Sequence, residues 1–256
     1  MNTGPRDRRR YFLLLIVMAL PAAALLVDPI PQDPAYHGFA DQRTLLGVPH
    51  FWNVVSNVPF VAVGAASLVV LAAGRVSVQA QLSFLYPALF AALVATGLGS
   101  AAYHLAPSNA SLVWDRVGIT LAIAALFCIV FGEHVSARWA RRLFVPLVIV
   151  GIATVAWWVS TESRMAGDLR PYALFQFIPM LLMPLILLLY PSHYDRTIFV
   201  WWVIAMYALA KICELLDPQI LALTGALSGH SLKHIVAGLA MAVYLYGLRQ
   251  RRARGT

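Results

Sequence analysis

The sequence predicts an all-α polytopic membrane bundle, a seven-helix core with one extra helix at its amino end. Three observations carry this. Hydrophobic residues fill 61% of the 256 positions and charged residues only 12%, a balance outside the usual range of soluble domains. Apolar runs near or above ~18 residues, long enough to cross a bilayer's hydrocarbon core, recur from end to end. The arginines gather at the termini and between those runs, where a membrane protein places them. No polar stretch is long enough for a separate soluble domain. The expected organisation is therefore a basic segment with a first transmembrane helix over 1–28, followed by one integral membrane domain over 29–256.

Taken in order, the chain opens on a polar segment rich in arginine, Arg6, Arg8, Arg9 and Arg10. The apolar run from Tyr11 to Val27 contains Pro21 and reads as a retained first helix. The small residues Ala22, Ala23 and Ala24 also offer a signal-peptide cleavage point, which would leave seven spans. Residues 28–50 are loop-like, punctuated by Pro29, Pro31, Pro34, Gly38, Gly47 and Pro49. The second span is expected from Phe51 to Ala73, the third from Leu82 to His104 and the fourth from Leu112 to Phe131. The fifth follows from Leu143 to Ser160, the sixth from Tyr172 to Tyr190, the seventh from Ile198 to Leu216 and the eighth from His230 to Leu248.

Charge orients this ladder. With eight spans, the amino-terminal arginines share a side with Arg75, Arg138, Arg141, Arg142, Arg196, Arg249, Arg251, Arg252 and Arg254. Only Arg43, Arg164 and Arg170 fall opposite. The bias places both termini in the cytoplasm of a multi-pass protein. The net charge of +8 is thus a topological signal and not a nucleic-acid footprint. Only Lys211 and Lys233 among the 19 basic residues are lysines, a compositional hint of a GC-rich bacterial genome and hence of a bacterial inner membrane. The two cysteines, Cys128 and Cys213, lie inside apolar runs and read as small buried thiols.

Ionisable groups at the ends of apolar spans are expensive and serve as functional candidates. His230 and His234 are four apart on one helix, so both rings face one way, one turn apart. Ser100 and His104 repeat that spacing, and Asp115 follows eleven residues later. The topology puts all five near the outer face, at one depth in the bilayer. His104, His230 and His234 would supply three neutral imidazoles, a ligand set that suits zinc with an open fourth position; iron and copper accept the same donors. The competing reading is three hydrogen-bonded packing histidines. Asp115 has two candidate roles, orienting a ligand or acting as general base, against a structural pairing with Arg116. Ser100 is a candidate donor to a developing oxyanion, against a bond to the carbonyl one turn back. Asn53 and Asn57 share a face that shapes a cavity or bonds between helices. Lys211 and Glu214 are spaced to pair. The remaining histidines, His37, His50, His134 and His193, sit in loops or at span ends.

Several motifs resemble those of the alkaline ceramidases, part of a membrane hydrolase superfamily that includes adiponectin-receptor-like proteins. Phe51-Trp52-Asn53-Val54-Val55-Ser56-Asn57 resembles the start of their first core helix. Gly97-Leu98-Gly99-Ser100-Ala101-Ala102-Tyr103-His104 resembles their Gly-Ser-x-x-x-His motif, Trp114-Asp115 their aspartate, and His230-Ser231-Leu232-Lys233-His234 their His-x-x-x-His. The resemblance covers about residues 50–248. It implies a seven-helix core holding zinc through His104, His230 and His234. It further implies hydrolysis of the amide of a ceramide-like lipid to a fatty acid and a long-chain base, with Ser100 holding the oxyanion and Asp115 handling protons. One departure concerns calcium. His50 stands where the eukaryotic enzymes carry a glutamate, and the preceding loop offers Asp33 and Asp41 but no dense carboxylate cluster, whereas calcium takes about six to eight oxygens; calcium is therefore not expected. A receptor- or transporter-like bundle with a structural metal, or an ion carrier using His104, Asp115, Lys211 and Glu214, are the competing classes.

Overall fold

A computed structural model describes residues 5–254. Residues 1–4, which begin the basic amino-terminal segment, residues 255–256, and the side chains of residues 5–7, including Arg6, lie outside the description. Among the described residues the chain is helical with no strand. Helix α1 covers Pro5–Ala24. A short α2, Phe51–Val55, leads into α3, Val58–Ala72. Then come α4, Leu85–Leu105; α5, Asn109–Phe131; α6, Ala137–Glu162; α7, Arg170–Leu189; α8, Ile198–Leu215; a short α9, Asp217–Thr224; and α10, Gly229–Gln250.

Six helical stretches are long and apolar enough to cross a membrane, and one of them runs for 54 residues from Asn109 to Glu162. That stretch folds back on itself. A π-turn over Gly132–Ser136 breaks it, and Ser136 leaves helical space (φ −166°, ψ 111°) to cap α6. Gly151 then lies against Thr120 and Gly132 against Ala140, an antiparallel pairing of α5 with α6. The six stretches therefore make seven legs. Helix α1 is the eighth long helix. It falls outside the six because Asp7, Arg8, Arg9 and Arg10 occupy its first turns, and it lies beside α7, where Arg9 donates to the Leu189 carbonyl (2.6 Å).

Two boundaries differ from expectation for identifiable reasons. The expected second span is split at Ser56–Asn57, because Pro59 enters the first turn of α3 without an N–H to donate and its ring excludes the carbonyl four residues back. Arg138, Arg141 and Arg142 sit in the first two turns of α6 and not in a loop, because the π-turn uses only five residues.

The main core fills the end of the bundle distant from the histidine motifs. It is built on Leu82, Leu85, Tyr86, Leu89, Phe90 and Ile129. A smaller cluster around Phe39, Tyr103, Leu112, Trp158 and Tyr172 fills the other end. Outward-facing Val69, Ile149, Leu188 and Leu209 remain exposed. Such an apolar exterior suits lipid, because every backbone polar group of a helix is satisfied internally. Beneath the main core lies a buried ion pair. Arg251 donates to Glu133 (2.7 Å), to the Ser77 carbonyl and to Tyr86, with its face over the Tyr194 ring at 3.7 Å. Arg251, one of the arginines that follow the last span, locks the end of α10 to α4 and to the α5–α6 turn.

Candidate metal centre

Each histidine is delivered by a helix end that its neighbours hold in place. In α10, Ser228 caps the first turn by accepting from the Ser231 N–H (3.1 Å), and Gly229 removes a clash. A Cβ at Gly229 would stand 2.0 Å from the Cys213 carbonyl oxygen, so only glycine lets the head of α10 lie on the end of α8. The Asp217 carboxylate accepts the His230 backbone N–H (2.7 Å) and the Ala40 N–H (3.0 Å). It thereby joins α9, α10 and the 28–50 loop at one point. Asn53 accepts from the Ser231 hydroxyl (2.8 Å) and ties α2 to α10, while Asn57 turns back to the Asn53 carbonyl. Of the two asparagines, Asn53 makes the interhelical bond.

On α4, Gly99 sits so close to α5 that a Cβ would lie 2.5 Å from the Trp114 carbonyl. This approach sets Ser100 beside Asp115. One turn along α4 comes His104.

The three histidines converge. His104, His230 and His234 are 1%, 6% and 5% exposed, and one nitrogen from each lies within 4.8 Å of the others. The Nε2 atoms of His104 and His230 are 3.3 Å apart. On the far side of the His234 ring, Nδ1 lies 2.9 Å from the Ser56 hydroxyl. That hydroxyl already donates its single proton to the Asn53 carbonyl (3.1 Å). His234 Nδ1 must then be the N–H donor, which leaves its Nε2 lone pair free. Buried polar atoms are normally paired, yet His104 Nδ1 has no partner. At most one N–H can sit between two rings, so the three imidazoles do not satisfy one another. A cation can accept the lone pairs that converge there, so the trio can hold a metal ion.

Ser100 and Asp115 do not join the nitrogen cluster. Together with His234 they line a cavity of about 230 Å³. Its deeper walls are apolar, from Leu89, Leu93, Ile123 and Met241. Its polar end also carries Lys211, Glu214 and Lys233. The expected Lys211–Glu214 pair forms, and Lys233 adds a second contact to the same carboxylate (2.5 Å). Arg116 does not form the ion pair with Asp115 weighed from the sequence. It bonds Gln32 and stacks on Trp158.

Four contributors carried little or no sequence signal. Phe39, in the loop, lies edge-on to His104 (ring centroids 4.5 Å) and tilted against His230 (4.8 Å), closing the site from outside. His50 reaches the His104 carbonyl (3.0 Å), and His37 reaches the Tyr103 hydroxyl (2.8 Å). Ser56 lies in the motif but 178 residues away in sequence from the ring it orients. His134 and His193 are remote, beside the Glu133–Arg251 pair at the other end; His134 Nδ1 bonds its own helix at Val130. Comparison with known proteins adds no assignment: no family model and no curated protein matches the chain.

Proposed function

We propose that this chain is a zinc-dependent intramembrane lipid amidase. It would cleave the N-acyl amide of ceramide or a ceramide-like lipid into a fatty acid and a long-chain base. The observation that carries this reading is the joining of two features in one place. A histidine trio able to hold a metal borders an apolar-walled cavity through His234, and Ser100 and Asp115 line that same cavity.

Zinc suits the donor set. His104, His230 and His234 would hold it through imidazole nitrogens that lie within 4.8 Å of one another, donors that suit zinc. No carboxylate belongs to the trio, so the hard-cation chemistry of calcium or magnesium is disfavoured. When bound, zinc supplies Lewis acidity and lowers the pKa of water. The chain's own residues do the rest. His234 is held in the right tautomer by Ser56. Asp115, which lines the cavity with His234, would take a proton from water and return it to the leaving amine. Ser100, beside it, donates its O–H to the oxygen that gains charge at the amide carbonyl. The apolar walls hold the acyl chain and exclude water from the far end.

The arginine bias supports both termini being cytoplasmic, a site near the outer face and a bacterial inner membrane as the setting. The lipid substrate and the membrane are the partners in this reading.

The test is metal analysis of detergent-purified protein, paired with product analysis on ceramide and other N-acyl lipids. The expected result is about one zinc per chain, with His230→Ala losing both metal and hydrolysis. Full hydrolysis by that variant refutes the proposal. Zinc without hydrolysis of any N-acyl lipid points instead to a structural metal.

A further inference from the structure

Three cations line the cavity, Arg116, Lys211 and Lys233, and among the described residues Arg116 is the one of them in no ion pair. Arg116 follows Asp115 on α5 and lines the same cavity. Its residue is 6% exposed. One aromatic plane covers its guanidinium at 3.9 Å, that of Trp158, and a second at 4.8 Å, that of Tyr172. A guanidinium carries five N–H donors. Its one side-chain bond goes to the neutral Gln32 oxygen (2.5 Å), and Nη1 is buried with no partner.

The other charges nearby are already committed. Glu214 is shared between Lys211 and Lys233, and Asp115 faces Ser100. Arg116, Lys211 and Lys233 thus outnumber Glu214 and Asp115 among the residues lining the cavity. A buried charge without a counter-ion is costly unless something else supplies one. A planar fork stacked between aromatics, with an edge unspent, is the arrangement that recognises carboxylate and phosphate oxygens.

We propose that Arg116 is an oxyanion-recognition residue of this cavity, and that the amphiphile bound there presents a carboxylate or phosphate group to it. The inference rests on reading the cavity as the lipid site. Two sources share this chemistry: the fatty-acid product, through its carboxylate, and an anionic lipid, through its headgroup phosphate.

The experiment is a competition binding measurement on the full-length protein in detergent. The probes are hexadecanoate, hexadecyl phosphate and hexadecanol, which share one chain and differ only in the head. The metal is present in one series and stripped with a chelator in a second. The proposal expects one or both anions to bind about tenfold or more tighter than the alcohol, from charge-assisted hydrogen bonds. That preference should persist in the stripped protein, disappear in Arg116→Gln and survive in part in Arg116→Lys. Preference for the carboxylate identifies the product as the source, and preference for the phosphate identifies a phospholipid headgroup. Equal binding of the alcohol overturns the proposal. So does a preference that vanishes with the metal, or one that Arg116→Gln retains. Where Arg116→Gln fails to fold, the stripped wild-type series alone decides. Because binding and not turnover is read, the absence of hydrolysis would sink the amidase proposal and leave this one standing.

Discussion

Replacing Ser56 by alanine is expected to weaken metal retention while leaving the bundle folded. The Ser56 hydroxyl is the partner of His234 Nδ1 at 2.9 Å and passes its own proton to the Asn53 carbonyl at 3.1 Å. Removing it deletes one small polar group, so little packing is lost. What is lost is the acceptor that keeps the proton on Nδ1 and the lone pair on Nε2. A buried donor left unpaired costs about 1–3 kcal/mol, which corresponds to roughly 5- to 150-fold in an equilibrium constant. Loss of a hydrogen-bond partner behind a metal-binding histidine typically costs ~10–100-fold in affinity. The two ranges agree, so about tenfold or more is expected. The assay is zinc competition against a chelator of known affinity, run with a melting curve in the same detergent. Ser56→Thr, which keeps a hydroxyl, should restore most of the affinity. Unchanged zinc affinity in Ser56→Ala, with an intact fold, would refute the tautomer argument. A lowered melting temperature with no metal bound in either protein would show His234 to be a packing residue.

Gly229→Ala should be far more damaging, because its Cβ would meet backbone atoms of Cys213 and Asp217 at 2.0 and 2.8 Å, and backbone cannot yield as a side-chain tip can. The head of α10 must move off α8, and the expected outcome is loss of bound metal together with about 1–3 kcal/mol of stability; a variant that keeps full metal content contradicts the packing account. At the other end, Glu133→Gln or Arg251→Met breaks a pair whose side chains are 3% and 5% exposed. Stability should fall by about 3–5 kcal/mol, read as a lower melting temperature in detergent with metal content unchanged; an unaltered melt would show that the pair is incidental. Asp41 ties the 28–50 loop through Arg43, whose guanidinium beside it holds the carboxyl below the usual carboxylate range. A depressed folded-state value means the stabilisation is complete above the ordinary aspartate value of about 4 and is lost as pH falls through the lower folded value. Protection of the Arg43 amide from hydrogen exchange, relative to its intrinsic rate at each pH, should therefore fall in acid below about pH 4, since that amide donates to Asp41 at 3.1 Å; protection that stays flat there, or that is unaffected by Arg43→Ala, counts against the assignment.

Three separate pieces hold the candidate metal centre, which explains why damage is expected from unlike positions. The α4–α5 seam, tight at Gly99, brings Ser100 to Asp115. The α8–α10 seam, tight at Gly229, presents His230 and His234. The 28–50 loop closes the outside through Phe39 and is anchored by Asp217. Membrane helices have no hydrophobic drive toward one another, so close backbone approach at small residues and hydrogen bonds between helices take over that task.

Much of this was legible before any coordinates. Long apolar runs announce membrane helices because bilayer thickness sets their length, and helical periodicity alone puts His230 and His234 on one face. The i, i+4 spacing of Ser100 and His104 and the pairing of Lys211 with Glu214 follow from the same local geometry, whereas which of Asn53 and Asn57 bonds between helices did not. Other features depended on tertiary structure, because they join residues that no local rule connects. That the expected fourth and fifth spans are joined by a five-residue π-turn, and that Ser136 is the residue that leaves helical space, was decided by the fold. Phe39 carries no chemical mark in a loop of prolines and glycines, and only packing shows it against two imidazoles. The fates of Arg116 and Arg251, stacked on aromatics and buried, were invisible for the same reason: an arginine's partners are chosen across the fold, and sequence spacing specifies contacts only within about one helical turn.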